Sequence, residues 1–161
     1  MVMRDFAMIS PTVWHSKRFR GLSERAKLMF FYLLCGPHGN SIGCYRLPPG
    51  YVFADMQWEL QEWRSAMTEL LDSGMVVEDL ETDTIWIDKW QKFAGLKGEK
   101  TLKNVKKLLK ALPASPAKEA CQAAIFGSSD SDLYDWWQDP APKPAEIGSI
   151  PEHLNTRYLS K

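Results

Sequence analysis

The sequence lacks most of what would tie it to a membrane, a disulfide scaffold or a polyanion held by bulk charge. Its 20 Lys+Arg are matched by 20 Asp+Glu, so the formal net charge over 161 residues is zero. That balance argues against a coat-like partner gripped by overall charge, as a histone-like protein grips DNA. No apolar run approaches the ~20 residues that span a bilayer; the longest, Leu28 to Cys35, has eight. Met1-Val2-Met3-Arg4-Asp5 is not a basic region leading into an apolar stretch, so no secretory signal is expected. The three cysteines, Cys35, Cys44 and Cys121, are scattered and odd in number, which fits a reducing cytosol better than a disulfide framework. Enzyme signatures are missing as well: there is no Gly-rich phosphate loop ending in Lys-Ser/Thr, no GxSxG and no HExxH.

Metal ligands are equally sparse. Cys35, His38 and Cys44 form C-x2-H-x5-C, whereas zinc takes about four ligands. The fourth would have to be His15 or a carboxylate, and Cys35 sits in an apolar segment where a core role is simpler. Asp130 and Asp132 lie in a Gly/Ser-rich stretch, which does not hold catalytic geometry. The expectation is a non-catalytic chain without a cofactor.

What is present is ordinary for a folded chain: 45% apolar and 25% charged residues. The length suggests one domain with an appendage. The charge is unevenly spread. Residues 1–98 hold 11 basic and 12 acidic side chains, residues 99–112 five Lys and one Glu, and residues 113–161 four basic and seven acidic. This divides the chain into a compact domain over about 1–94, a helical pair at 99–126 and an acidic, Pro-rich tail from 127.

Within the first region Ser23 is a good N-cap, Glu24 suits the positive end of a helix dipole, and Gly36-Pro37 is a stop. A helix over 24–35 follows. Its second half is apolar on nearly every face, so it should be surrounded. Ile42 to Arg46 is a short strand. Leu47-Pro48-Pro49-Gly50 opens a second helix with Tyr51, Val52 and Met56 facing inward. A third helix spans about 60–73, with Leu60, Trp63, Met67, Leu70 and Leu71 on one face and Gln61, Glu62, Arg64, Ser65, Thr68 and Asp72 on the other. Residues 75–80 and 84–88 read as two strands joined by the polar Glu81-Thr82-Asp83. Helix, strand, two helices and a hairpin is the order of a winged helix-turn-helix. The predicted class is therefore mainly α with a small β-sheet (α+β), followed by a helical hairpin and an extended tail.

The phrases VWHSKRFRGLSERAKLMFFYLL, GNSIGCYRLPPGYVFADMQW and LLDSGMVVEDLETDTIWIDKWQKF, in that order, resemble the N-terminal winged-helix domain of phage and prophage replication initiators, the replisome organisers. Downstream, NVKKLLKALPASPAKEAC is similar to the basic helix and the LP-x-SP helix that follow it in that family, so the resemblance covers about residues 9–126. It implies binding of double-stranded origin DNA in the cytoplasm of a bacterial host and delivery of a replication protein such as a helicase or loader. By analogy it also implies a homodimer, and it involves no membrane.

If the chain binds DNA, cations must supply most of the affinity. The candidates are Lys17, Arg18 and Arg20, Arg25 and Lys27 on the first helix, Arg46 on the strand and Arg64 on the third helix. Gln57, Gln61, Arg64 and Ser65 are nearest to base edges, Arg64 suited to guanine and Gln61 to adenine. The helix over 100–112 separates its faces cleanly. Leu102, Val105, Leu108, Leu109 and Leu112 lie on one side, Lys100, Lys103, Lys106, Lys107 and Lys110 on the other. The leucine face must bury itself against the winged domain, the next helix or a second chain. The lysine face is either a phosphate rest or a solubilising surface, a membrane-surface helix being disfavoured because Ala111-Leu112-Pro113 leads at once into another helix that can cover the apolar stripe. Four phosphate contacts would give a log–log salt slope of about −3.6. Ser115-Pro116 starts the next helix as N-cap and N1.

In the tail, Leu133, Tyr134, Trp136 and Trp137 stand among aspartates. They are either a docking motif for a partner's apolar pocket or side chains that fold back onto the chain. Four carboxylates, Glu59, Glu62, Glu81 and Asp83, sit where a DNA-reading helix and wing would meet phosphates. They motivate an alternative: a winged-helix interaction or inhibitor module presenting an acidic face to a nucleic-acid enzyme. A transcriptional repressor is a third reading.

Overall fold

A computed structural model describes residues 6–90 and 99–127, without the side chains of 99–102. The chain divides into Met1–Ser128 and Ser129–Lys161, and the second unit, with the nominated Leu133, Tyr134, Trp136 and Trp137, lies outside the described residues. A 3-10 turn, Pro11–His15, leads into α1, Lys17–Arg20. Then come α2, Glu24–Cys35; β1, Cys44–Arg46; α3, Pro49–Met56; α4, Leu60–Asp72; β2, Val76–Asp79; β3, Thr84–Ile87; α5, Glu99–Ala111; and α6, Pro116–Phe126.

The capping chemistry expected from sequence is in place. Ser23 Oγ accepts the Ala26 amide at 3.2 Å and Ser115 Oγ accepts that of Lys118 at 3.2 Å. The three strands form an antiparallel sheet in the order β1-β3-β2, with Tyr45 opposite Ile85 and Val77 opposite Trp86. This is the α+β winged helix-turn-helix arrangement.

The sheet is covered on both faces. On one, Tyr45, Val76, Ile85 and Ile87 join Phe19, Phe30, Leu33, Val52, Trp63, Met67 and Leu70 in a core shared with α1 to α4. On the other, Cys44 and Trp86 join Ile42, Val105, Leu109, Ala117, Cys121 and Ile125. The α5–α6 hairpin thus lies on the outer face of the sheet, which accounts for all four residues of β3 being buried. Of the three destinations open to the leucine face of α5, it takes two: the winged part's sheet and α6. Cys44 and Cys121 meet inside this second core. The hydrogen bond to Cys44, then burial, pushes the Cys121 thiol up, so it stays neutral.

Several positions depart from the sequence expectation. Gly43 has φ +66, so the backbone turns there and the strand begins at Cys44 rather than at Ile42. A Cβ at Gly43 would stand 2.5 Å from the Trp90 ring, whose Nε1 donates to Ser41 O at 2.9 Å. Helix α2 is not enclosed: Leu28 and Cys35 are exposed, because their row of the helix points away from β1, α3 and α4. Cys35 is therefore not a core residue; its Sγ donates to Phe31 O at 3.0 Å. Tyr51 faces outward and stacks on His38 with ring centroids 4.4 Å apart, one helical step round from the buried Val52. His38 Nε2 lies 2.9 Å from Asp55 Oδ2, which also accepts Tyr32 Oη–H at 2.7 Å. Burial, then this hydrogen bond and the carboxylate's charge, push the Tyr32 phenol up. Together they clip α3 to α2.

Two substitutions test this architecture. Gly43→Ala forces a side chain into a left-handed backbone and into Trp90, and should lower unfolding free energy by about 2–3 kcal/mol. Leu109→Ala should cost about 2–5 kcal/mol in the same cooperative denaturation transition as the winged part. A separate, earlier transition would show that the hairpin is not integral to the fold.

Candidate nucleic-acid interface

Helix α4 is held from three sides, by α2, α3 and β2. Its start is fixed by Glu62, whose Oε2 accepts the Glu59 amide at 3.0 Å in a capping box. Its end is fixed by Gly74, with φ +66. Trp63, Ala66, Met67 and Leu70 are buried, which leaves Gln61, Ser65, Thr68 and Asp72 exposed. Leu60, expected on the apolar face, is 60% exposed, because the first turn of α4 projects beyond its neighbours. Leu60, Gln61, Arg64, Ser65, Thr68 and Glu69 line a shallow, open depression. Thr68 and Glu69 were not nominated from sequence, although Thr68 follows Gln61 and Ser65 at helical spacing.

The nominated arginines are largely engaged by the protein itself. Arg18 Nη2 lies 2.9 Å from Asp88 Oδ2, and its Nη1 donates to Gly74 O at 2.8 Å. Arg25 pairs with Glu62 and lies over the Trp58 ring at 5.7 Å. Arg46 Nε donates to Thr82 O at 3.0 Å, with Nη2 3.8 Å from Asp83. Arg64 Nη1 lies 2.9 Å from Glu78 Oε2, and its guanidinium stacks on the Trp63 ring at 3.9 Å. Three of the four carboxylates that stood out in sequence have work inside the fold: Glu62 and Glu59 form the capping box of α4, Glu62 also holds Arg25, and Asp83 at the hairpin tip faces Arg46, while Glu81 is exposed. Lys17 and Arg20 project from α1 into solvent, and Gln57, in the left-handed conformation at φ 55, is exposed before α4. Residues 6–90 carry eight basic and eleven acidic side chains, so the winged part is net negative.

The second nominated surface differs. Lys103, Lys106, Lys107 and Lys110 of α5 are all exposed, and none has a carboxylate within ion-pair distance among the described residues. Lys100 begins the same helix, with its side chain outside the described residues. Lys118, on α6, instead turns back, Nζ donating to Leu112 O at 2.9 Å. Among the described residues no three His, Cys, Asp or Glu group as metal ligands, and no helix is long and apolar enough to cross a membrane.

Chemically, the α4 face offers the neutral hydrogen-bonding groups of Gln61, Ser65 and Thr68 beside the charged Arg64, Glu69 and Asp72, and the α5 face offers point charges. The α4 scaffold is also linked to pH. The Ser23 amide, then its hydroxyl, hold the Glu69 carboxyl below its ordinary value of 4.5, and the Glu59 amide, with a smaller contribution from Arg25, does the same for Glu62. A carboxyl with a lowered folded pKa contributes stability that is complete above the unfolded value and fades as pH falls through the folded one. Glu69→Gln should therefore lower the melting temperature at neutral pH, with the difference shrinking as pH drops below about 4.5. A gap constant across the acid series would show that the carboxylate charge is not what ties α4 to Ser23.

Comparisons with known protein families, characterised proteins and solved structures returned no match.

Proposed function

We propose that this chain is a non-catalytic, phage-type winged-helix DNA-binding protein that acts in replication initiation, holding duplex DNA and recruiting a replication protein such as a helicase or loader. The observation that carries the DNA-binding part is the open polar face of α4, set on a three-helix scaffold with Gln61, Ser65 and Thr68 uncovered. A helix presented this way fits a major groove, and the Gln61 amide matches the donor–acceptor pair of adenine. Lys17 and Arg20 on α1 are exposed cations of the winged part with no ion pair among the described residues, able to meet phosphates. The replication role rests on the three ordered sequence phrases.

A second reading has its own observation. Arg18, Arg25, Arg46 and Arg64 are each paired with a carboxylate of the winged part, and paired arginines attract phosphate weakly. A face so neutralised suits a protein–protein interaction or inhibitor module.

An electrophoretic titration at low salt separates the two. On the first reading the wild type retards duplex DNA, and Gln61→Ala/Ser65→Ala weakens binding to the preferred site by about tenfold, the discrimination carried by one good base contact. Glu78→Gln, which removes the partner of Arg64, should tighten it. Absence of retardation by the wild type and by Glu78→Gln would sink the DNA reading in favour of the interaction module.

A further inference from the structure

We infer that the lysine face of α5 is a second, sequence-independent phosphate-binding surface, and that one chain holds two duplex DNA segments at once, one on each side of its sheet. This rests on the DNA-binding reading above and extends it from one site to two.

The placement is diagonal. Helix α4 packs in the core beneath the inner face of the sheet, against β2, with Arg64 reaching Glu78 on that strand. Helix α6 lies directly on the outer face, and α5 joins the same core from the β1 side: Val105 and Leu109 share it with Ile42 and Cys44, and Asn104 Nδ2 donates to Ser41 Oγ at 3.3 Å beside β1. In the order β1-β3-β2 these are the two edges. Helices α4 and α5 thus belong to cores on opposite faces of the sheet, and with layers packing about 10 Å apart roughly 20 Å of protein separates them. A duplex is stiff over ~150 base pairs, so one short segment lying on α4 does not fold back to reach α5.

The chemistry of the two faces is also divided. Lys103, Lys106, Lys107 and Lys110 form a row about 10 Å long on one side of the helix. They are point charges, and the amide of Asn104 on the same helix is turned to Ser41. Such a row suits the sugar–phosphate backbone and carries no sequence information. In the winged part four arginines are paired, and Lys17, Arg20, Lys27 and Lys89, which have no ion pair among the described residues, are scattered over α1, α2 and the end of β3, whereas α5 sets its four lysines in one row.

Bead capture tests this. One duplex of random sequence is immobilised, the full chain is added, and a second, fluorescent duplex is then supplied. Binding of a single duplex is followed in parallel by fluorescence anisotropy. The wild type should retain the second duplex. Lys106→Glu/Lys107→Glu, at exposed positions and with circular dichroism unchanged, should lower retention by about tenfold or more while leaving single-duplex binding measurable. Single-duplex binding without retention by the wild type would overturn the inference and leave the DNA reading standing. Retention that survives the double substitution would also overturn it, because bridging would then come from pairing of chains. No binding in either assay would remove the DNA reading, and this inference with it.

Discussion

Strand β3 has no solvent face. It is the middle strand of three, flanked by β1 and β2, with Ile85 and Ile87 directed into the helical core and Trp86 into the hairpin core. A strand alternates its side chains, so burial of every residue requires a layer on each side. In this protein α1 to α4 supply one layer and α5–α6 the other. The architecture is therefore three layers deep, and each exposed helix face belongs to one side of the sheet.

That layering shapes the electrostatics. The wing is short and its carboxylates lie within reach of arginines on neighbouring elements, so Arg46 meets Asp83, Arg64 meets Glu78 and Arg18 meets Asp88. Partly exposed pairs of this kind contribute little to stability, on the order of 0–1 kcal/mol each. Their larger effect is on recognition, since a guanidinium already facing a carboxylate presents little net charge to a phosphate. Helix α5, held by Val105 and Leu109 in the core it shares with the sheet and α6, has no carboxylate paired with its lysines among the described residues. The same protein thus has a polar face on α4, where Arg64 is paired and Asp72 is exposed, and a cationic face on α5, and the proposed division of labour between them follows from this contrast.

Much of the fold was legible along the chain. Ser23, Gly36-Pro37 and Ser115-Pro116 marked helix ends because capping is a local matter of one side chain and a few amides. The strands were visible through β-branched and apolar residues bounded by turns. The errors came where a residue's surroundings are set by distant segments. Cys35 and Leu28 are apolar yet exposed, since no element covers their row of α2; Tyr51 points outward to a histidine 13 positions earlier; Leu60 projects past its neighbours. Gly43 looked like an ordinary strand residue, and only Trp90, 47 positions later, shows why no side chain fits there.

By itself the sequence determined where the capped helices begin, that one helix would separate lysines from leucines, and that Gln61, Ser65 and Thr68 share a face. These follow from backbone periodicity and from hydrogen bonds between near neighbours, which need no knowledge of the rest of the chain. Only the tertiary structure decided which charges remain available. Ion pairing depends on distances of a few ångströms between groups up to 70 positions apart, and a linear reading counts Arg64 and Lys106 alike as cations. Packing sets them apart, one held against Glu78 and the other left in water.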